Sequence, residues 1–185
     1  MNKKLWLSGL LLLNLVSYPI VNAESRVIEI DESIEYTSKS VELNGETLEI
    51  PNDWSETESS DSQVMYMTGT SMVSFEMIDD PGVSIEHPVL TQEIMKSFEQ
   101  DESMKVINSE VVEIEGQKAI HLDIQALDFL TDPSSDYVNA EIIIFKLNGQ
   151  CLMAMRLQMD DSLDEEVVKA DQDLFYKVLA NKITE

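Results

Sequence analysis

The sequence predicts an α+β fold, a single domain in which an antiparallel β-sheet layer is packed by two main helices, and three observations carry that prediction. Asn44-Gly45, Glu115-Gly116 and Asn148-Gly149 each sit between runs that hold apolar residues. Asn-Gly is the pair that most readily takes the positive φ angles of a two-residue type I′ hairpin. Counting outward from the later two turns sets apolar residues opposite apolar ones and charges opposite countercharges, an agreement that a slip of one residue would scatter. Two stretches of helical periodicity interrupt the strands. The order strands, helix, strands, helix is the segregated pattern of an antiparallel layer.

Residues 1–23 read as an export signal. Lys3 and Lys4 form a basic start, Leu5 to Val16 an apolar run, Pro19 breaks the helix, and Val21-Asn22-Ala23 offers small or modest residues for cleavage after Ala23. The apolar run is well short of the roughly 20 residues that cross a bilayer as a helix. A lipid anchor would need a cysteine directly after the cleavage point, whereas the single cysteine is Cys151, so no lipid anchor is expected. Residues 24–38, ESRVIEIDESIEYTS, carry five acids among scattered apolar side chains and read as a flexible or edge-strand lead-in. The remaining residues, 39–185, suit one domain with one core.

Within that domain, Asn44-Gly45 joins Val41-Glu42-Leu43 to a strand that runs to Ile50, and two further strands are expected near 63–68 and 71–78. A first helix is expected over 91–101, where Leu90, Ile94 and Phe98 recur every four residues, Thr91 caps the start and Leu90 staples onto Met95. Around Glu115-Gly116, Val111 faces Ile120, Ile107 faces Ile124, Glu113 faces Lys118 and Glu110 faces His121. Ile120, Leu122, Ile124 and Ala126 then mark the buried row, and His121, Asp123 and Gln125 point to the polar face.

Around Asn148-Gly149 the arithmetic is cleaner. Ile144 faces Met153, Ile142 faces Met155, Ala140 faces Leu157 and Val138 faces Met159, a continuous apolar row. On the reverse face Phe145 meets Leu152, Ile143 meets Ala154, and Glu141 meets Arg156 as an opposite-charge pair. With both faces largely apolar, this hairpin belongs at the centre of the sheet. A second helix is expected over 163–183, with Ser162 and Glu165 at the spacing of a capping box and Val167, Ala170, Leu174 and Val178, flanked by Phe175, Leu179 and Ile183, as the apolar stripe.

Asn44-Gly45 followed by Ile50-Pro51-Asn52-Asp53-Trp54 resembles the opening of the PsbP-like superfamily, which includes the Mog-type Ran-binding proteins and whose members tend to start with an Asn-Gly hairpin leading into an Ile-Pro-x-x-Trp corner. By element order the resemblance extends over nearly all of the chain after the signal. It implies an exported bacterial member with a non-catalytic docking scaffold. Plant members assist an oxygen-evolving photosystem and Mog-type members bind a small GTPase; no residue here carries over either binding site. Physically, Pro51 ends its strand because it lacks a ladder donor, and Trp54 can fold its ring over the sheet end.

The charge narrows the partners. The chain carries 36 acidic against 12 basic residues, a formal net charge of -24, and loss of Lys3 and Lys4 with the signal makes it more negative. Such a field repels phosphate backbones and anionic lipid, which disfavours nucleic acid and direct membrane insertion. Two histidines and one cysteine leave little material for a metal or haem centre. His87 precedes the first helix, and His121 has Glu110 as a neighbour but no evident nucleophile, so both read as surface polar residues. Cys151 shares a strand face with Met153 and Met155 and reads as a partly buried, inert thiol.

Asp79-Asp80, Asp160-Asp161 with Asp164, and Glu165-Glu166 lack the spacing of a calcium loop and read as a solvated acidic edge. The pairs Met65 with Met67 and Met153 with Met155 read as core filler. No catalytic, cofactor-binding or metal-binding residue is therefore assigned. The expected function is a secreted or extracytoplasmic, non-enzymatic binding or accessory module with an unknown protein partner and no cofactor. The alternatives are an extracellular hydrolase using paired carboxylates, and a passive acidic, cation-buffering surface protein.

Overall fold

A computed structural model describes residues 25–79, 104–127, 137–159 and 164–184. Among these the chain forms β1 (Arg26–Val27), β2 (Ser38–Leu43), β3 (Glu46–Pro51), β4 (Ser55–Ser59), β5 (Gln63–Met67), β6 (Ser71–Asp79), β7 (Met104–Ile114), β8 (Gln117–Leu127), β9 (Tyr137–Leu147), β10 (Gln150–Gln158) and one helix, α1 (Glu165–Thr184). The helix expected over 91–101 lies outside the described residues, as does His87. An eight-stranded sheet runs β1-β7-β8-β9-β10-β6-β5-β4, and β2-β3 forms a separate hairpin.

All three Xaa-Gly turns carry left-handed pairs: φ is 50° and 87° at Asn44 and Gly45, 48° and 76° at Glu115 and Gly116, and 48° and 86° at Asn148 and Gly149. These angles match the twist of the strands that they join. The expected β9–β10 register is borne out from Ile144 opposite Met153 to Ala140 opposite Leu157, including Glu141 opposite Arg156. The hairpin occupies the middle of the sheet. Asn148 Nδ2 also donates to Glu46 Oε1 (2.8 Å), and Asn44 Nδ2 donates to Gln150 Oε1 (3.0 Å), so the two Asn-Gly hairpins meet at their tips.

The β7–β8 register corrects one expected pair. Val111 faces Ile120, Glu113 faces Lys118 and Glu110 faces His121, but Ile124 is opposite Val106 because a bulge lies between Val106 and Asn108. The extra residue, Ile107, is turned out and is 53% exposed. An inserted residue reverses the inward and outward alternation beyond it, which is what brings Val106 against the apolar row.

Both faces of the central sheet are buried. On one face α1 and the β2–β3 hairpin cover Val73, Phe75, Ile143, Phe145, Leu152 and Ala154. Trp54 is buried there, stacked at 6.4 Å on Phe75, which in turn lies 6.3 Å from Phe175 of α1. The opposite face buries Ile120, Leu122, Ile142, Cys151, Met153 and Met155, so the methionine pair and the cysteine of β10 are core.

Glu76 of β6 sits opposite Met153, is 8% exposed, and its Oε2 finds no hydrogen-bond partner among the described residues. Burial pushes its carboxyl above the ordinary range. A carboxyl raised in the folded state destabilises the fold where it must ionise, and the penalty fades as pH falls toward its titration. Glu76→Met is accordingly expected to stabilise the protein at neutral pH by about 1–3 kcal/mol. Urea unfolding at neutral and acidic pH checks this, the gain shrinking at the lower pH.

The start of α1 differs from expectation, and its stripe does so in part: Phe175, Val178 and Leu179 are buried as expected and Leu174 and Ile183 pack against the core, but Val167 and Ala170 do not join them. Asp164 caps the helix: its Oδ1 accepts from the Glu166 amide (2.8 Å), and its carbonyl accepts from Val167 and Val168. Ser162, expected in the cap, lies outside the described residues. Val167 is 45% exposed and Ala170 is exposed, whereas Phe175, Tyr176, Val178, Leu179 and Lys182 are buried. The helix instead sets polar side chains inward, where Asp171, Gln172 and Tyr176 reach polar groups of the sheet.

Candidate functional site

Polar residues converge in two places, and the two differ in what they can do. The first is a closed network between the sheet and α1. Glu141, opposite Arg156 in the register, is 5% exposed. It accepts from Arg156 Nε (2.9 Å), from Gln172 Nε2 (3.0 and 3.1 Å) and from Tyr176 Oη (2.5 Å). Arg156 Nη1 donates to Ser71 Oγ (3.1 Å) and lies 3.6 Å from Asp171 Oδ2, while Ser71 Oγ donates to Asp171 (2.5 Å).

His121 joins the network from β8. Its Nδ1 lies 3.2 Å from Glu110 Oε1, and its Nε2 lies 3.4 Å from both Asp123 Oδ1 and Glu141 Oε2. Burial alone would raise the Glu141 carboxyl, but the adjacent His121 ring, the Arg156 charge and the Tyr176 hydrogen bond hold it below the ordinary range. Burial and the Glu141 charge push the Tyr176 phenol well up, so it remains a donor.

The surface role expected for His121 is corrected here: the ring is 4% exposed. Its face is polar, as expected from Asp123 beside it, but Arg26 and the Glu141 network close over the ring itself, while Asp123 stays half exposed. The acceptor positions of Glu141 are filled by protein donors, and Ser71 is 1% exposed with its hydroxyl held by Asp171 and Arg156. Such a network fixes helix to sheet and presents no group to a substrate.

The second place is an open depression of about 750 Å³ where the lead-in segment, the end of β3 and the first half of α1 meet. Asp31, Glu35, Asp53 and Asp173 line it, with Ile34, Tyr36 and Leu174 as apolar floor. The lead-in is held across the helix: Asn181 Nδ2 donates to Tyr36 Oη (2.9 Å), Tyr36 Oη donates to the Glu49 carbonyl (3.2 Å), and Lys177 Nζ pairs with Glu32 (2.5 Å). The Thr37 carbonyl accepts from the Asn52 amide (2.9 Å), which sets Asp53 at the rim. Hydrogen bonds from Ser33 hold the Asp31 carboxyl below its ordinary range, so it stays charged.

None of the residues singled out from the sequence for possible chemistry lines this depression. His121, Cys151, Met153 and Met155 are buried, and Asp80, Asp160 and Asp161 lie outside the described residues. The lining comes from three segments far apart in sequence, and only the acidity of residues 24–38 pointed toward it. Among the described residues no three or more His, Cys, Asp or Glu side chains form a metal-holding group, and no helix is long and apolar enough to cross a membrane.

No protein-family model matches the chain, and no curated protein sequence matches it. Among solved structures it is similar to the cyanobacterial PsbP, CyanoP, of Synechocystis, with 15% identity, 82% of this chain and 95% of that chain covered, and a TM-score of 0.48. It is also similar to the Ran-binding protein Mog1p of Saccharomyces cerevisiae (12% identity, 82% and 93% covered, TM-score 0.43). A third is PA94 of Pseudomonas aeruginosa, a protein of unknown function described as a putative regulator (13%, 75% and 94%, 0.45). The first two are of the PsbP and Mog kinds that the segment from Asn44 to Trp54 resembles.

Proposed function

We propose that the chain is an extracytoplasmic, non-enzymatic binding module that docks a cationic segment of a protein partner in the acidic depression between the lead-in and α1. The observation that carries this reading is the lining itself: four carboxylates around an apolar floor, on a protein of net charge -24. Lysine and arginine fit such a surface, their charged heads on the carboxylates and their aliphatic stems on Ile34, Tyr36 and Leu174. The export reading rests on the sequence of residues 1–23, and an acidic field steers cationic partners toward the groove.

A hydrolase built on paired carboxylates fits the described residues less well. Glu76, raised and thus suited to a general acid, is buried on the opposite face of the sheet from Glu141, which is saturated by donors.

Titration calorimetry with an amphipathic Lys- and Arg-bearing peptide tests the docking surface. Binding is expected at low ionic strength and weakens toward 1 M salt, where the screening length falls to about 3 Å. Reversing two exposed carboxylates, Glu35→Lys with Asp53→Lys, is expected to weaken it about tenfold or more, a loss of about 1.4 kcal/mol. Equal binding by the reversed variant would remove the groove as the site.

A further inference from the structure

The four carboxylates of the depression are not equally free to meet a cation. Asp31 Oδ1 already accepts from the Ser33 amide (2.9 Å) and from the Ser33 hydroxyl (2.6 Å). Asp173 is paired with Lys169, one helical turn earlier on α1. Glu35 and Asp53 are exposed, and neither has a hydrogen bond or ion pair among the described residues. The acidic wall therefore offers two open acceptors, one from the lead-in and one from the end of β3.

Both open acceptors stand on backbone that is already fixed. The Asn52 amide donates to the Thr37 carbonyl (2.9 Å), which ties together the two segments that carry Asp53 and Glu35. Tyr36, next to Glu35, is held from two sides, its hydroxyl accepting from Asn181 (2.9 Å) and donating to the Glu49 carbonyl (3.2 Å). A cation reaching Glu35 or Asp53 breaks no bond and orders no loop, so little of its binding energy is lost. At Asp31 or Asp173 it must first displace a donor.

Lys169 differs from Ser33 in being able to leave. Its side chain is 71% exposed, and an exposed i,i+4 pair of this kind is weak. Its charge is also felt across the depression: the Asp31 carboxyl is held below its ordinary range by the Ser33 hydrogen bonds first, and then by the charges of Lys169 and Lys177. The helix thus sets a lysine of its own where a partner's lysine would dock. We propose that Glu35 and Asp53 are the carboxylates that receive the partner's cationic side chains, and that Lys169 is a built-in competitor that withholds Asp173, an assignment that rests on the docking proposed above.

Titration calorimetry with the amphipathic Lys- and Arg-bearing peptide tests this at about 0.15 M salt, where the screening length of about 8 Å mutes distant charges. Glu35→Gln and Asp53→Asn are each expected to weaken binding about threefold. Asp31→Asn and Asp173→Asn should cost clearly less, although each removes the same charge from the same depression. Lys169→Gln is expected to tighten binding about twofold, whereas Lys105→Gln, which removes an equal charge from β7, should leave it unchanged. In the Lys169→Gln background Asp173→Asn should then cost about threefold, because the freed carboxylate has become a contact; such non-additivity marks residues that share a partner.

Two failures are distinguishable. Equal losses at all four carboxylates, with Asp173→Asn costing the same in the presence and absence of Lys169, would overturn the assignment and leave docking by a diffuse acidic field. No binding by the wild-type protein would remove the docking itself, and the roles of Glu35, Asp53 and Lys169 with it.

Discussion

Arg156→Ala is expected to lower the free energy of unfolding by about 3–5 kcal/mol, the cost of leaving a buried ion network without its central cation. Glu141 and Asp171, both almost fully enclosed, would lose the guanidinium at 2.9 and 3.6 Å, and Ser71 would lose a donor at 3.1 Å. The size of the effect comes from stranded carboxylates more than from attraction in the native pair. Two consequences separate this account from one based on packing alone. Arg156→Met, which restores most of the volume, should recover little of the loss. Glu141→Leu combined with Arg156→Met should be far milder than the sum of the singles, with a coupling of about 0.5–3 kcal/mol. Urea unfolding with an unchanged slope measures both.

Phe175→Ala is the second large loss, again about 3–5 kcal/mol, from a cavity between α1 and the sheet that the rigid β6–β10 floor cannot close. Phe175 is fully buried, 6.3 Å from Phe75 and 5.8 Å from Tyr176. Val167→Ala on the same helix should stay within about 0.5 kcal/mol, because Val167 is 45% exposed. The contrast tests the seating of α1 directly: a helix lying on the full stripe of Val167, Ala170, Leu174 and Val178 would show a substantial loss at Val167 as well.

Much of the sheet was legible because its signals are local. Two Asn-Gly pairs and one Glu-Gly pair set the turns, and two-residue periodicity set the faces, down to Glu141 opposite Arg156. Ile107 shows where such arithmetic stops, since a bulge inserts a residue without any mark in an alternating run. β4, Ser55–Ser59, is wholly exposed at the sheet edge and carries no apolar alternation to reveal it.

For α1, periodicity located the helix and the later part of its stripe, but not how its first turns sit. Leucine and valine counts cannot foresee that Asp171, Gln172 and Tyr176 will be drawn onto a buried charge pair. Alternation assigns His121 to the polar face but carries no sign of its burial, because what covers a face is decided by elements distant in sequence. The acidic depression was illegible for the same reason: residues 31–37, 52–53 and 170–174 meet only once the lead-in is pinned over the helix by Tyr36 and Lys177.

The most direct measurement is NMR mapping of the amide-labelled protein during titration with a cationic amphipathic peptide. Docking in the depression predicts shifts concentrated at Ile34, Glu35, Tyr36, Asp53 and Leu174, fading with salt, while the amides around Glu141 and Arg156 stay still. Shifts confined to β4 or to the β7 edge, or a spectrum unchanged at saturating peptide, would contradict the account.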